Sequence, residues 1–226
     1  MTASRRAGVW RWGCAVVVVV GLAAGALAAQ GGPPVDPKAT RPADLVELVG
    51  LDPTIKLDIR YAGTNNFLGK PVYPEARAFL QRPAAEALVA AHRELAAHGY
   101  GLLVHDGYRP WAITKLFWDM TSGSQREFVA DPSRGSKHNR GCAVDLTLYD
   151  LALGTAVEMP SGYDEMTRRA YPDYPGGPPE ARAKRDLLRR VMERHGFTVE
   201  PNEWWHFNYQ AWEQYPVLDI PFSAIR

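Results

Sequence analysis

The stretch SKHNRGCAVD at residues 136–145, together with EWWH at residues 203–206, sets the strongest constraint on how this chain folds. The ligand-type residues in the two stretches are His138, Asp145 and His206. Zinc accepts two histidines and one carboxylate, and such a set leaves a fourth coordination position for water or substrate. Glu203 is the candidate base for a proton of that water. The two halves together predict a catalytic site with one zinc ion per chain.

The placement of these residues predicts two irregularities of the backbone. His138 falls in a loop before a strand that carries Asp145, so both can point inward only if the chain turns between them, and Gly141 permits such a turn. Glu203 and His206 begin another strand, where a bulge or a loop-to-strand transition would aim both at one metal. This spacing differs from the helical HExxH pattern, in which two ligands lie one turn apart.

Composition excludes several classes of protein. The 226 residues are 46% hydrophobic and 23% charged, which predicts one globular domain with a proper core. A net charge of +1 and the lack of a basic run interleaved with aromatic residues argue against binding to nucleic acid.

The N-terminus predicts export. Its basic residues are Arg5, Arg6 and Arg11. An apolar run follows over residues 14–27, and ALA at residues 26–28 matches a signal-peptidase motif, with cleavage after Ala28 or Ala29. The alternative is an uncleaved membrane anchor, for which the apolar run is short. Either way, a signal peptide or anchor at residues 1–29 places the folded part in the periplasm or another extracytoplasmic space.

The rest of the chain is predicted to form a linker and one domain. Residues 30–44 are rich in Gly and Pro and read as a linker, which leaves residues 45–226 for the domain. Once the leader is removed, Cys142 is the only cysteine, so no intramolecular disulfide can form. We interpret Cys142 as a small buried thiol.

Hydrophobic periodicity and the positions of Gly and Pro predict a mixture of helices and strands. The helices are expected at residues 83–98, 111–120 and 179–195. The strands are expected at residues 57–61, 100–106, 143–149 and 204–209, with a loop at 65–71. Because there is no regular βαβ alternation, the predicted class is α+β, with a central antiparallel sheet flanked by helices.

Further motifs surround the metal stretch and carry a resemblance. They are DIRY at residues 58–61, NFLGKPV at 66–72, DGYRP at 106–110 and the metal stretch continued to residue 148. With EWWH, these motifs resemble the D-alanyl-D-alanine dipeptidases, the VanX-type zinc D,D-dipeptidases of the peptidase M15 group. The resemblance covers roughly residues 57–215 and implies the D,D-peptidase, hedgehog-like fold. Lys137 and Asn139 depart from it, because serines are common at these positions of the family.

The resemblance implies a role for each site residue. The implied zinc ligands are His138, Asp145 and His206, and Glu203 would pass the water proton to the leaving amine. Arg109 would stabilise the oxyanion that develops at the scissile carbonyl, an effect of about 3 kcal/mol. The residues implied for substrate binding are Ser136 for the C-terminal carboxylate, Tyr61 for the peptide and Asp164 for the free ammonium.

The implied function is exported, zinc-dependent hydrolysis of D-Ala-D-Ala or a close D,D-dipeptide. One alternative is a D,D-carboxypeptidase that trims peptidoglycan stem peptides, and another is a peptidoglycan-binding module with a structural zinc. An intact Glu203 and Arg109 argue against the module, since binding alone needs neither a base nor an oxyanion donor. An exported enzyme cannot reach the cytoplasmic dipeptide pool, which favours salvage over resistance. Oligomeric state stays open.

Three residue-level alternatives accompany this interpretation. The residues alone favour DGYRP as a surface turn with Arg109 at its tip. His105 is expected to be an ordinary strand residue, and the alternative is that it contacts the groups that surround the metal ligands. The basic residues at 168–190 fit a solvated helix face, with attraction to an anionic cell wall as the rival.

Overall fold

The computed structural model describes Met1, Thr2 and residues 31–225. Residues 3–29 of the predicted export segment lie outside that description. Chain contacts define two units, Met1–Gly31 and Gly32–Arg226, and the fold below is that of the second. No described helix is both long enough and apolar enough to cross a bilayer.

Helices and strands alternate irregularly along the described chain. The strands are β1 Leu45–Glu47, β2 Lys56–Leu57, β3 Phe79–Gln81, β4 Tyr100–Asp106, β5 Ala143–Asp150, β6 Phe197–Glu200 and β7 Glu203–Tyr209. The α-helices are α1 Leu48–Leu51, α2 Arg82–Ala96, α3 Trp111–Met120 and α4 Pro179–Arg194. Short 3₁₀ turns lie at Arg60–Ala62, Gly123–Phe128, His138–Arg140, Arg168–Ala170, Trp212–Gln214 and Phe222–Ala224. The α+β class is confirmed, and the three predicted helices correspond to α2, α3 and α4.

One five-stranded sheet organises the domain, in the order β2-β4-β5-β7-β6. The pairs β4–β5, β5–β7 and β7–β6 are antiparallel, whereas the short β2 is parallel to β4. Central strand β5 is buried along almost its whole length, including its polar residues Asp145 and Thr147. Helix α2 packs on β4, α4 packs on β6, and the two helices contact each other. The predicted central sheet flanked by helices is therefore confirmed, and it is antiparallel except for the edge pair β2–β4.

A second, two-stranded sheet was not predicted. Strands β1 and β3 pair antiparallel, with Leu45 opposite Gln81. Three-residue strands are too short for a period-2 pattern to stand out in the sequence. The Gln81 backbone N–H donates to the Gly141 carbonyl at 2.8 Å, and its side-chain amide donates to the Arg140 carbonyl at 2.8 Å. The small sheet therefore supports the metal stretch.

The strand predicted at residues 57–61 is largely wrong. Strand β2 ends at Leu57, and the chain then forms the 3₁₀ turn Arg60–Ala62. The Tyr61 carbonyl accepts a hydrogen bond from the N–H of Val72 at 2.8 Å instead of one from a neighbouring strand. The alternation of polar and apolar residues therefore belongs to a turn that buries Tyr61, not to a strand.

Residues 32–44 of the predicted linker belong to the second unit and are hydrogen-bonded to the rest of it. The N–H of Thr40 donates to the Gln214 carbonyl at 3.0 Å, and the Asp36 carboxylate accepts from the Arg140 guanidinium at 2.8 Å. The predicted division into leader, linker and domain stays a prediction.

Candidate active site

The register of β5 and β7 brings two predicted ligands together. Asp145 on β5 lies directly opposite His206 on β7, and opposite residues share a face of the sheet. Before β5, Gly141 has φ +66°, in the left-handed region, and this ends the 3₁₀ turn His138–Arg140. A Cβ atom at this glycine would lie 2.5 Å from Leu45 Cδ2. The predicted turn therefore favours glycine for its backbone conformation, and a larger residue would also displace the side chain of Leu45.

The three predicted zinc ligands converge on one point. Asp145 Oδ1 lies 3.3 Å from His138 Nε2 and 3.0 Å from His206 Nδ1. The two ring nitrogens are 3.2 Å apart, and all three side chains are buried. Ligand atoms at about 2.0–2.1 Å from a tetrahedral zinc lie roughly 3.3 Å from one another. The observed separations thus fit a zinc ion bound by this trio.

The hydrogen bonds of both imidazoles leave a lone pair facing this point. His138 Nδ1 lies 2.7 Å from the Gly107 carbonyl, so this nitrogen carries the proton. His206 Nε2 lies 2.8 Å from Asn208 Oδ1, whose identity as oxygen is fixed because Asn208 Nδ2 donates to Glu200 at 2.7 Å. Second partners of this kind commonly orient metal-binding histidines.

The converging atoms require a positive charge between them. Asp145 Oδ1 is buried and has no hydrogen-bond partner among the described residues. Burial opposes the charged form of His206, but the negative charges of the neighbouring carboxylates, Asp145 first among them, raise its pKa to about 9. A buried carboxylate oxygen beside two nitrogen lone pairs is stable only with a cation, which a proton or a metal ion supplies.

Glu203 lies next to the trio through an irregularity of the sheet. In a regular strand, residues three apart point to opposite faces. The register of β6 and β7 shifts between Val199 and Glu200, and Glu200 pairs with Glu203 at this point. Glu203 Oε2 consequently lies 3.4 Å from His206 Nδ1. Burial raises the pKa of Glu203 to about 8, so its carboxyl group is suited to hold and release a proton.

Arg109 is buried beside the trio and is not the exposed tip of a surface turn. Its Nε and Nη2 donate to Asp106 Oδ2 at 3.0 and 2.7 Å, and Nη2 lies 3.9 Å from Asp145 Oδ2. The guanidinium stacks on Phe117 at 4.7 Å and faces Tyr61 at 5.4 Å from the ring centroids. These contacts hold the cation in one orientation at the wall of the site.

The three predicted substrate-binding residues line one cavity of about 630 Å³ with the trio. The Tyr61 hydroxyl donates to the Asp164 carboxylate, 3.0 and 3.2 Å from its two oxygens. Ser136 Oγ accepts the backbone N–H of His138 at 3.2 Å. Burial raises the pKa of Asp164 to about 7. The apolar part of the wall includes Phe67, Phe117, Phe128, Val129, Met166 and Trp205.

Residues that the sequence left ambiguous take up other places. His105 is buried and packs on the ring of Tyr163 with centroids 4.7 Å apart, so it does not touch the trio directly. Cys142 is a buried free thiol, as predicted, and burial raises its pKa to about 12. Within the basic cluster, Arg185 is buried and donates to the Tyr174 carbonyl at 2.8 Å, so this cluster is not wholly a solvated face.

Sequence reasoning missed the partners that orient the predicted site residues. Asn208 follows His206 by two positions, and the period-2 rule places both on one face of β7, so this signal was available. Asp106 lies within the quoted DGYRP motif but was given no role. The role of the Gly107 carbonyl could not be predicted from the sequence, because every residue carries a carbonyl.

Comparisons with known proteins find similar sequences in one peptidase family. The peptidase M15 model, described as D-ala-D-ala dipeptidase, matches residues 41–219. The D-alanyl-D-alanine dipeptidase of Escherichia coli (strain K12) is 36% identical over 181 residues, covering 80% of this chain and 92% of that protein. The D-alanyl-D-alanine dipeptidase of Enterococcus faecium is 37% identical over 190 residues, covering 74% of this chain and 92% of that protein. A solved vancomycin resistance D,D-dipeptidase, VanXYg with a D-Ala-D-Ala phosphinate analog, is 23% identical with TM-score 0.40, covering 60% of this chain and 52% of that one.

Proposed function

Because the chain belongs to the D-alanyl-D-alanine dipeptidase family of metallopeptidases, we propose that it is an exported, zinc-dependent enzyme that cleaves D-alanyl-D-alanine into two D-alanine molecules. Hydrolysis of D,D-dipeptides follows from the family. The identity of the metal, the roles of individual residues and the location outside the cytoplasm are the further parts of the proposal.

One observation supports the metal above all others. The buried, unpartnered Asp145 Oδ1 faces two imidazole nitrogens whose protons are held on the far side of each ring. Two imidazoles and one carboxylate are the donor set that zinc binds in hydrolytic enzymes, with one position left open. Zinc in this place supplies Lewis acidity, which makes water nucleophilic near neutral pH.

The chain's own residues supply the proton transfer and the charge stabilisation. Glu203, buried and 3.4 Å from His206, takes a proton from the attacking water and delivers it to the nitrogen of the leaving D-alanine. Arg109 commits Nε and Nη2 to Asp106, and no described residue accepts a hydrogen bond from its Nη1. That nitrogen is free to donate to the oxyanion as it develops.

The cavity offers one complementary group to each end of a free dipeptide. Asp164, held by Tyr61, offers a negative charge for the ammonium. Ser136 offers a hydroxyl donor for the carboxylate, which suits an acceptor-only group. Recognition of both ends would restrict the enzyme to dipeptides.

The size of the cavity supports one rival, a D,D-carboxypeptidase. A volume of 630 Å³ lies within the ~300–1,000 Å³ range that holds drug-sized ligands, so a peptide longer than two residues also fits. Such an enzyme would use the same zinc chemistry and would have no need of a free ammonium in its substrate.

Substrate comparison tests the proposal. The full-length, zinc-loaded protein is assayed on D-Ala-D-Ala, on its N-acetyl derivative and on a pentapeptide that ends in D-Ala-D-Ala, with Glu203→Gln as the inactive control. We expect cleavage of the free dipeptide and kcat/KM about 10²-fold lower for the acetylated one, because acetylation leaves the buried Asp164 carboxylate without a countercharge. Equal or better cleavage of the blocked peptides supports the carboxypeptidase. No cleavage of any of the three contradicts both.

Location outside the cytoplasm rests on the sequence of residues 1–29. Cell fractionation of the expressed full chain, with N-terminal sequencing, tests it. A mature chain that starts at residue 29 or 30 in the extracytoplasmic fraction is the expected result. Retention of the intact chain in the cytoplasm contradicts it. An enzyme outside the membrane would act on dipeptide released from the cell wall, in a salvage role.

A further inference from the structure

Tyr163 contacts the candidate metal site in a way that the mechanism above does not use. Its hydroxyl donates to Asp145 Oδ2 at 3.0 Å. The other oxygen of that carboxylate, Oδ1, is the one that faces His138 and His206. Nη2 of Arg109 also lies on the Oδ2 side, at 3.9 Å. The two carboxylate oxygens are thus in different environments, one bonded to a phenol and one directed at the metal position.

The ring of Tyr163 is held by aromatic neighbours. His105 packs on it at a centroid distance of 4.7 Å, and Trp205 and Tyr61 contact it edge-on at 5.5 and 6.3 Å. Edge-on and tilted aromatic pairs of this kind favour a single ring orientation. His105 therefore affects the site indirectly, by packing on Tyr163.

Asp164, the residue that follows Tyr163, has an unusual backbone conformation. Asp164 has φ +57°, the only described residue other than glycine in the left-handed region. Such a conformation costs a non-glycine residue about 1 kcal/mol or more, and it persists where surrounding structure holds it. The side chains of these consecutive residues make different contacts, Tyr163 with the candidate metal ligand Asp145 and Asp164 with Tyr61.

We propose that Tyr163 is a positioning residue that restricts Asp145 to one metal-binding oxygen. A carboxylate with both oxygens free can bind a metal through both and occupy the position needed by water or substrate. The phenol hydrogen bond holds Oδ2 away and leaves Oδ1 for the metal, which keeps the fourth position open. This inference rests on the proposed function only in that a metal occupies the site.

Tyr163→Phe tests the proposal, since it removes one oxygen and leaves the aromatic packing. Loss of an outer partner of a metal ligand typically costs about 10- to 100-fold in metal affinity or activity. We expect the zinc Kd, measured by competition with a chromophoric chelator, to rise at least about 10-fold. We also expect the visible absorption of the cobalt-substituted protein to weaken as Asp145 binds through both oxygens, and kcat to fall with little change in KM.

The matched control is Tyr149→Phe. Tyr149 lies on β5, the strand that carries Asp145, and its hydroxyl donates to the Thr54 carbonyl at 2.8 Å, outside the cavity. This variant loses the same atom and should keep the zinc Kd, the cobalt spectrum and kcat of the original protein.

An unchanged zinc Kd and cobalt spectrum in Tyr163→Phe overturn the proposal. A fall in kcat with both metal readouts unchanged overturns it as well, because the hydroxyl would then act on the substrate. The metal measurements need no substrate, so they test the role of Tyr163 even if the original protein fails to cleave D-Ala-D-Ala. Such a failure would count against the proposed function alone.

Discussion

Replacement of Asp164 by asparagine should abolish the preference for a free dipeptide. Asparagine keeps the size of the side chain and one oxygen that can accept the Tyr61 hydroxyl, which donates to Asp164 at 3.0 Å. The variant therefore removes the negative charge and little else. A substrate with a free ammonium loses its partner, whereas an N-acetylated substrate has no charge to lose.

The size of the effect follows from the geometry of the pocket. Two unit charges about 4 Å apart attract by about 4 kcal/mol at an effective dielectric constant near 20. Desolvation of the ammonium opposes this, and hydrogen bonds to charged groups contribute a net ~1.5–3 kcal/mol. At 1.4 kcal/mol per factor of ten, kcat/KM for D-Ala-D-Ala should fall about 10- to 140-fold. The value for N-acetyl-D-Ala-D-Ala should stay level or rise, since the unpaired buried carboxylate is gone.

Steady-state kinetics on the two substrates measures this as a ratio of kcat/KM values. The control is Asp173→Asn, which neutralises an exposed aspartate on the same connection between β5 and α4 and should leave the ratio unchanged. Equal losses on both substrates would refute the reasoning, because Asp164 would then have only a structural role. A ratio identical to that of the original protein would refute it too.

The remaining predictions concern the metal, the base and stability. Alanine at any one of the three ligand positions (His138, Asp145 or His206) should abolish stoichiometric zinc binding, and elemental analysis that finds full zinc in two of these variants contradicts the ligand set. Glu203→Gln should keep its zinc and lose at least ~10²-fold in kcat; near-normal turnover would assign the base elsewhere. His92 is buried, which lowers its pKa below 6.5, and one ring nitrogen accepts a backbone N–H of β4 at 3.0 Å. The unfolded state therefore takes up the proton first, so this contribution to stability is complete above pH 6.5 and declines below it. Urea titrations from pH 7 to 5 should show a shallower decline for His92→Gln, and an identical decline contradicts the assignment.

The helices and central strands could be predicted because their signals are local. Strand β4 and helix α3 have the predicted bounds. Gly107 marks the end of the buried apolar run that forms β4, and Pro110 marks the start of α3. The strand predicted at residues 57–61 failed because the Tyr61 carbonyl pairs with the N–H groups of Val72 and Tyr73, a contact that the alternation of side chains does not reveal. The short pair β1 and β3 escaped prediction because its partners are distant in the sequence and each strand is brief.

The roles of the candidate site residues divide in the same way. Their chemical types were readable, and the Gly141 turn and the irregularity before Glu203 were expected from spacing alone. The burial of Arg109 was not readable from its own motif, because the pair with Asp106 and the stacking on Phe117 depend on packing between separate elements.

The sequence by itself determined which groups are available: two imidazoles, carboxylates and a guanidinium, on segments with definite local structure. The tertiary structure decided which atoms meet. The register of β5 against β7 places Asp145 opposite His206, and Gly107 and Asn208 decide which nitrogen of each imidazole faces the candidate metal position. Hydrogen-bond partners and strand register arise from contacts between residues far apart in the chain. Local periodicity carries no information about them, because the same period fits every register that keeps the apolar face buried.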